Sequence, residues 1–479
     1  MSLPHGFTVA LDRHTRVLDD GRALLGGFPT RLLRLTPRAR ALLAGRILRV
    51  TDAASALLAD RLLESGMANP VVGALPPCPD PRYTVVVPVR DRAHQLDRLL
   101  AGVGTDQPVI VVDDASCRPG PVAEVAARHG ARLVRLTTNV GPAGARNAGL
   151  RLVTTPFVVF ADSDVVVAPE AVRTLLRHFA DPRVAMVTPR ITGLAGAGRP
   201  TWIGRYEEAR SSLDLGRHPA SVRPGTPVSW ASTACVAARA DVLKDGFDDA
   251  LRIGEDVDLC WRLIENGRRV RYEPAAEAAH EHRVRIDDWF LRKAAYGTGA
   301  APLARRHPEF IAPALFAPWS AALTGTLLAQ RRWSLPVAGL LCAGASVRIA
   351  RKLDGTGHPY RSALRLTANG AVGALSQTSA LLTRHWWPIT VLGCAVSSRV
   401  RRAAAVAALT DIALEYRKDK AGLDPVRYGI ARRLDDLAYG AGVWVSVVRG
   451  RSVRALRPRF VQRSAPGNHS ASHIRFHQR

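Results

Sequence analysis

The chain has 479 residues, 47% of them hydrophobic, and 67 Lys and Arg against 41 Asp and Glu give a net charge of +26. That length holds two to four domains with at least one large core, and the apolar share excludes a disordered chain. Six scattered cysteines (Cys78, Cys117, Cys235, Cys260, Cys342, Cys394) form no CxxC pair, which argues against a disulfide framework or a zinc site and fits a reducing cytosol.

The first region runs to residue 77. Its opening, MSLPHGFTVALDRHTRV, lacks the apolar run of a secretory signal, so the expected location is cytoplasmic, with the inner face of the cell membrane open to it. Val9–Leu11, Arg16–Leu18 and Arg22–Leu25 predict a β-ribbon turning at Asp20-Gly21. Two or three short helices follow, in TPRARALLAGRIL and ASALLADRLLESG, with Thr36 as N-cap before Pro37. This is the composition of a small winged-helix-like module. PPCPDPR, residues 76–82, reads as a linker because its prolines resist helix and sheet.

The second region, 78–300, alternates strands and helices from Tyr83 onward. YTVVVPV, PVIVVDD, ARLVRLT and PFVVFADSD read as strands; AHQLDRLLAGV, PVAEVAARHG and AGARNAGLRLV read as helices between them. Such alternation predicts an α/β fold with a mostly parallel sheet, whose ligands bind beyond the carboxyl ends of the strands. Asp113 and Asp114 stand at one such end, and Asp162 and Asp164 at another. Carboxylates are costly to leave unpaired in a core. An Asp-x-Asp at a strand end is suited to a hard divalent cation, Mg2+ or Mn2+, which brings substrate phosphates with it. NVGPAGARNAG is a glycine-rich turn feeding a helix that carries Arg146, and GFDDALRIGEDVDLCWRLIENG places Glu255 and Asp256 at a helix start. Acidic residues there also complement the helix dipole.

The third region, 301–479, holds 27 Lys and Arg against 8 Asp and Glu, a balance that attracts anionic lipid or nucleic acid. Four charge-free stretches, 310–330, 333–347, 366–383 and 386–398, are bracketed by arginines. Only the first approaches the length of a membrane span, and Pro313 and Pro318 interrupt it. The expectation is helices that lie on or dip into an anionic membrane surface; a soluble helical bundle is the alternative. The tail RSAPGNHSASHIRFHQR is expected to be disordered.

Taken together and in order, these motifs resemble the family 2 glycosyltransferases, inverting enzymes of the GT-A fold that use nucleotide-sugars. The resemblance covers residues 83–300. It implies that Pro88, Arg90 and Asp91 of VPVRD form the first nucleotide-contacting loop, although Arg90-Asp91 replaces an aromatic and Asn found in many relatives. It further implies that Asp114, with Asp113, holds the uracil, that Arg146 lies near the nucleotide, and that Asp162 contacts the ribose or sugar. Asp164 is the implied metal ligand, and Glu255-Asp256 matches the catalytic pair, with Asp256 as base. Metal chemistry asks for a third ligand, and His280 is the candidate, with His282 next. Trp230, in an acceptor region of about 201–237, either stacks on a sugar or cofactor ring or is a core tryptophan.

The first region resembles PqqD-like modules that bind ribosomally made peptides. The whole layout is similar to the glycosyltransferases of mycofactocin biosynthesis. That likeness implies a UDP-sugar donor, UDP-glucose, and a peptide-derived acceptor, premycofactocin, receiving a β-linked glucose chain. A lipid-linked or cell-wall acceptor is the alternative. A nucleic-acid partner is not expected, because it leaves the ordered carboxylate and glycine motifs without a role.

Overall fold

The computed structural model describes residues 2–104, 106–194, 201–282, 284–419 and 422–460. The tail expected to be disordered lies outside the described residues.

The N-terminal residues form β1 (Thr8–Leu11), β2 (Arg16–Leu18), β3 (Ala23–Gly26), β4 (Arg31–Arg34), α1 (Pro37–Leu42), β5 (Ile47–Arg49), α2 (Ala53–Glu64) and β6 (Ala68–Pro70). Thr36 caps α1 as its sequence predicts, accepting the Ala39 N–H at 3.2 Å. Asp52 and Ser55 cap α2 reciprocally: the Ser55 N–H donates to Asp52 at 2.7 Å, and the Asp52 N–H to the Ser55 hydroxyl at 2.9 Å. The expected ribbon is only half right. β2 and β3 do pair around the Asp19–Gly21 turn, and β4 extends them. β1 instead sits between β5 and β6, where its Thr8, Val9 and Leu11 are buried. A strand with that much buried surface needs a neighbour on each edge, which a ribbon partner alone does not supply.

The central segment forms β7 (Tyr83–Val89), α3 (Ala93–Val103), β8 (Val109–Asp113), α4 (Pro119–Arg128), β9 (Arg132–Arg135), α5 (Gly141–Leu150), β10 (Phe157–Ala161), β11 (Val165–Val167) and α6 (Pro169–Leu176). It continues through β12 (Val184–Gly193), α7 (Trp202–Ala209), β13 (Ala220–Ser221), β14 (Cys235–Arg239), α8 (Glu255–Glu265) and β15 (Arg269–His280). A nine-stranded sheet results, in the order β11-β15-β12-β14-β10-β7-β8-β9, with β13 beside β15. β10, β7, β8 and β9 run parallel, as the alternation predicts. β14 is inserted antiparallel between β10 and β12, and β11 runs antiparallel to β15. Apolar residues cover both faces: Val85, Val87, Leu96 and Val159 belong to one cluster, Val86, Val112, Phe160 and Trp261 to the other. Burial on both faces explains the unbroken apolar runs of β7, β8 and β10.

The remaining elements are α9 (Ile286–Thr298), α10 (Ala300–Arg306), β16 (Leu315–Phe316), α11 (Pro318–Ala329), α12 (Ser334–Lys352), α13 (Pro359–Ala380), α14 (Trp387–Val396), α15 (Ser398–Asp419), α16 (Pro425–Gly450) and β17 (Arg459–Phe460). Among the described residues no helix is long and apolar enough to cross a membrane. The charge-free stretch 310–330 becomes α-helical only at Pro318, because Pro313 and Pro318 withhold two amide donors.

The described chain forms two compact units: residues 2–12, 47–311 and 414–454, and residues 13–46, 312–413 and 455–460. The boundaries expected from sequence, at 77 and 300, divide the chain by motif and composition, whereas these units divide it by packing. Residues 1–77 are shared between the units, and α16 belongs with the sheet rather than with a C-terminal region. The reason for the second shift is local packing. Gly297 of α9 and Gly442 of α16 let the two backbones meet, and a Cβ at Gly442 would lie 1.8 Å from the Ala294 carbonyl oxygen.

Candidate active site

The strand ends converge on a group of carboxylates. β10 ends at Ala161, and Asp162 opens a tight turn in which the Val165 N–H donates to the Asp162 carbonyl at 3.0 Å. This turn swings Asp164 round to the end of β15, where β11 pairs Val165 with His280. The two expected metal ligands therefore meet: His280 Nε2 lies 3.6 Å from Asp164 Oδ1. Arg92 pairs with Asp164 through its other oxygen.

Arg146 is the centre of the group. Its helix α5 lies flat on the sheet because Gly149 has no side chain; a Cβ there would meet Val86 at 2.4 Å. The guanidinium is 3% exposed, donates from Nη2 to Asp162 at 2.6 Å and from Nη1 to Glu255 at 2.9 Å, and packs over the Phe247 ring. The two carboxylates raise its pKa above the ordinary value against the opposing effect of burial. The neighbouring Asn147 fixes the GFDD loop, accepting the Phe247 N–H and donating to the Phe247 carbonyl, each at 2.8 Å.

Glu255 and Asp256 open α8 after Gly254, whose φ of 87° suits glycine. Asp256 is half-buried and accepts the Val257 N–H at 2.8 Å. Burial first, and then the Glu255 carboxylate beside it, push its carboxyl up to about 7. A helix N-terminus ordinarily favours ionised carboxylates; here desolvation and like charge win, as they do where proton transfer is performed.

The other implied donor residues lie at and just beyond the ends of β7 and β8, where Asp113 and Asp114 are buried. Asp114 accepts the Val140 N–H at 2.8 Å, the Gly141 N–H at 2.9 Å and the Asn139 amide at 2.7 Å. Three protein donors thus fill most of that carboxylate's capacity, so Asp114 shapes the glycine-rich turn as well as facing it. Asp113 accepts the Ser116 N–H at 2.9 Å. Asp91, at a φ of 56°, accepts the Arg118 N–H at 3.1 Å and donates its own N–H to Ser116 at 2.9 Å. That acceptance holds its carboxyl below the usual range. Pro88 is half-buried at the end of β7, and Arg90 is exposed beside Asp91. Trp230 is half-buried in the segment leading into β14.

Two basic residues at this site were not legible as motifs. Arg92 reaches Asp164 across 72 residues of sequence. Arg292 of α9, exposed to solvent, stacks over Tyr296 and feels Asp162 and Asp164; together they raise its pKa. An arginine pattern inside a helix carries no local signal of what it will face.

Asp164 and His280 fit a divalent cation as a pair. Their spacing is close to the roughly 3 Å expected between neighbouring ligands of a cation bound at about 2.1 Å. Among the described residues no third His, Cys, Asp or Glu completes a cluster. Mg2+ and Mn2+ take water and substrate phosphates as further ligands. His282 sits beside His280, their rings 6.0 Å apart. It fits only because Gly193 is bare; a Cβ there would meet His282 Nε2 at 2.2 Å.

Acidic strand ends, a buried arginine and a carboxylate held near neutrality make this end of the sheet the candidate active site. The chain belongs to the family 2 glycosyltransferases: glycosyl transferase family 2 matches residues 84–247, and the sheet unit is a GT-A core. The full chain is 43% identical over 472 residues to the pre-mycofactocin glycosyltransferase of Mycobacterium tuberculosis, covering 95% of this chain and 98% of the relative. The succinoglycan biosynthesis protein ExoO of Rhizobium meliloti is 29% identical over 221 residues, 42% of this chain and 61% of that protein. Among solved structures, a mannosyltransferase of Pyrobaculum calidifontis in complex with GDP-Man and Mn2+ is similar at 22% identity and a TM-score of 0.36, covering 63% of this chain and 88% of that one.

Proposed function

We propose that the protein transfers glucose from UDP-glucose to premycofactocin with inversion at the anomeric carbon, building a β-linked glucose chain. The observation that carries the reading is Asp256: a carboxyl held at about 7, next to the arginine that ties the strand-end Asp162 to Glu255. A base poised there takes the proton from an acceptor hydroxyl at neutral pH. The freed oxygen attacks the anomeric carbon opposite the diphosphate, so an α-linked donor gives a β-linkage.

The protein's own groups divide the work. Asp91, Asp113 and Asp114 hold the nucleotide, and Arg146 holds Asp162 and Glu255 in place. Arg92 and Arg292 offer positive charge on the side of Asp164, where the leaving diphosphate gathers negative charge. Asp164 and His280 would hold a divalent cation, which when bound adds further positive charge against that diphosphate. The acceptor reading rests on end-to-end similarity to the mycobacterial enzyme, and peptide recognition by residues 1–77 belongs to the same proposal. Mass spectrometry of products from UDP-glucose with premycofactocin, against lipid-linked acceptors, tests it. Hexose additions on premycofactocin are expected; additions only on a lipid acceptor overturn the acceptor assignment.

A further inference from the structure

Within residues 312–413, two turns of the helical unit come together. The Gln330 side-chain amide, at the end of α11, donates to the Arg399 carbonyl at 2.7 Å, which sets the α11–α12 turn against the start of α15. Arg401 folds back and donates to the Cys394 carbonyl of α14 at 2.8 Å. At this junction Trp333 is 51% exposed, Leu335 76%, Leu392 71% and Val396 87%. Arg331, Arg332, Arg401 and Arg402 are exposed around them.

Large apolar side chains in that concentration mark an interaction surface. Of the 30 large hydrophobic residues that are exposed among the described residues, 16 fall in 312–413. The same segment has eleven Lys and Arg against two Asp and Glu.

Charge and apolarity together decide the occupant. A second copy of the same face would bring arginines against arginines. A nucleic acid would use the arginines and leave Leu392 and Val396 in water. The surface of an anionic bilayer uses both, since apolar side chains enter the headgroup boundary while arginines meet lipid phosphates and a tryptophan sits between. α14 is ten residues long and charge-free, too short to span but long enough to lie in that boundary. We propose that the α11–α12 turn and the end of α14 form one membrane-docking edge. Trp333, Leu335, Leu392 and Val396 enter an anionic leaflet, and Arg331, Arg332 and Arg402 hold its phosphates.

The test uses the full chain and vesicles of phosphatidylcholine, with and without phosphatidylglycerol, in flotation at low and physiological salt. Binding that requires phosphatidylglycerol and weakens with salt is expected. Leu392→Glu with Val396→Glu should abolish it, and Arg331→Glu with Arg332→Glu should weaken it by about tenfold or more. Both pairs should keep the wild-type melting temperature and turnover of a water-soluble acceptor, since these side chains project into solvent. Leu392→Ser with Val396→Ser serves if the glutamates fail to fold. Equal binding to both vesicle types overturns the proposal. So does binding untouched by the apolar variants, or a solution dimer that they dissolve without any vesicle binding.

Discussion

Arg146 joins two carboxylates that lie 93 residues apart in sequence, Asp162 at the end of β10 and Glu255 at the start of α8, through separate nitrogens of one guanidinium. Its helix is pressed to the sheet by Gly149, so the bridge fixes the first turn of α8, and with it Asp256, relative to the strand ends. Removing one partner of a buried ion pair leaves the other charge uncompensated. Arg146→Met is expected to cost about 3 kcal/mol of stability and to lower turnover as well. Chemical denaturation with product analysis checks both. A variant that is stable and active removes the bridge from the mechanism.

Asp256→Asn should keep UDP binding and lose transfer by roughly 10²–10⁴-fold, the range for removing a general base. Calorimetry with UDP and mass spectrometry of product separate the two effects. Transfer at the wild-type rate would mean that the proton leaves by another route.

The same residue sets a pH dependence. Its working form is the carboxylate, and its pKa is raised to about 7. Transfer should therefore rise with pH and level off above about 7, falling about tenfold per unit well below it. The residual activity of Asp256→Asn should lack that acid limb. A wild-type profile flat from the ordinary carboxylate range upward contradicts the assignment.

The sequence makes some of this legible and hides the rest for a physical reason. Strands β7, β8 and β10 follow from unbroken apolar runs, and helices α3 and α5 from apolar period and a glycine-rich turn, which are local. Asp162, Asp164, Glu255 and Asp256 stand out because acidic residues at strand ends and helix starts are local features too. The pairing of Arg92 with Asp164, the approach of Arg292 and the antiparallel insertion of β14 depend on contacts between distant segments, which no window of sequence carries. The pairing of β1 has the same origin: it reads as a ribbon strand until β5 and β6 claim its edges.

His280→Ala tests the cation pair. His280 Nε2 faces Asp164 at 3.6 Å, and no other His, Cys, Asp or Glu among the described residues completes the cluster. Loss of one of two protein donors should weaken Mn2+ binding in the presence of UDP by at least about tenfold. Titration of Mn2+ by electron paramagnetic resonance reads this without relying on turnover. Unchanged affinity would leave water as the remaining ligand and His280 as a strand-end residue.

The glycine contact between α9 and α16 links stability to the site. Gly297 and Gly442 face each other so closely that a methyl group at 442 would meet the Ala294 carbonyl oxygen at 1.8 Å. Backbone cannot yield as a flexible side chain does, so the helices must separate or tilt. α9 also carries Arg292, which feels Asp162 and Asp164, and Lys293, which pairs with Glu207 at 3.0 Å. Gly442→Ala should therefore cost about 3 kcal/mol by overpacking and should also lower transfer, because a shifted α9 carries Arg292 away from the carboxylates. Arg292→Ala should lower transfer without the loss of stability. Melting temperatures and turnover measured on both variants distinguish the two roles. If Gly442→Ala melts like the wild type, the helices tolerate separation and the glycine contact does not set the position of Arg292.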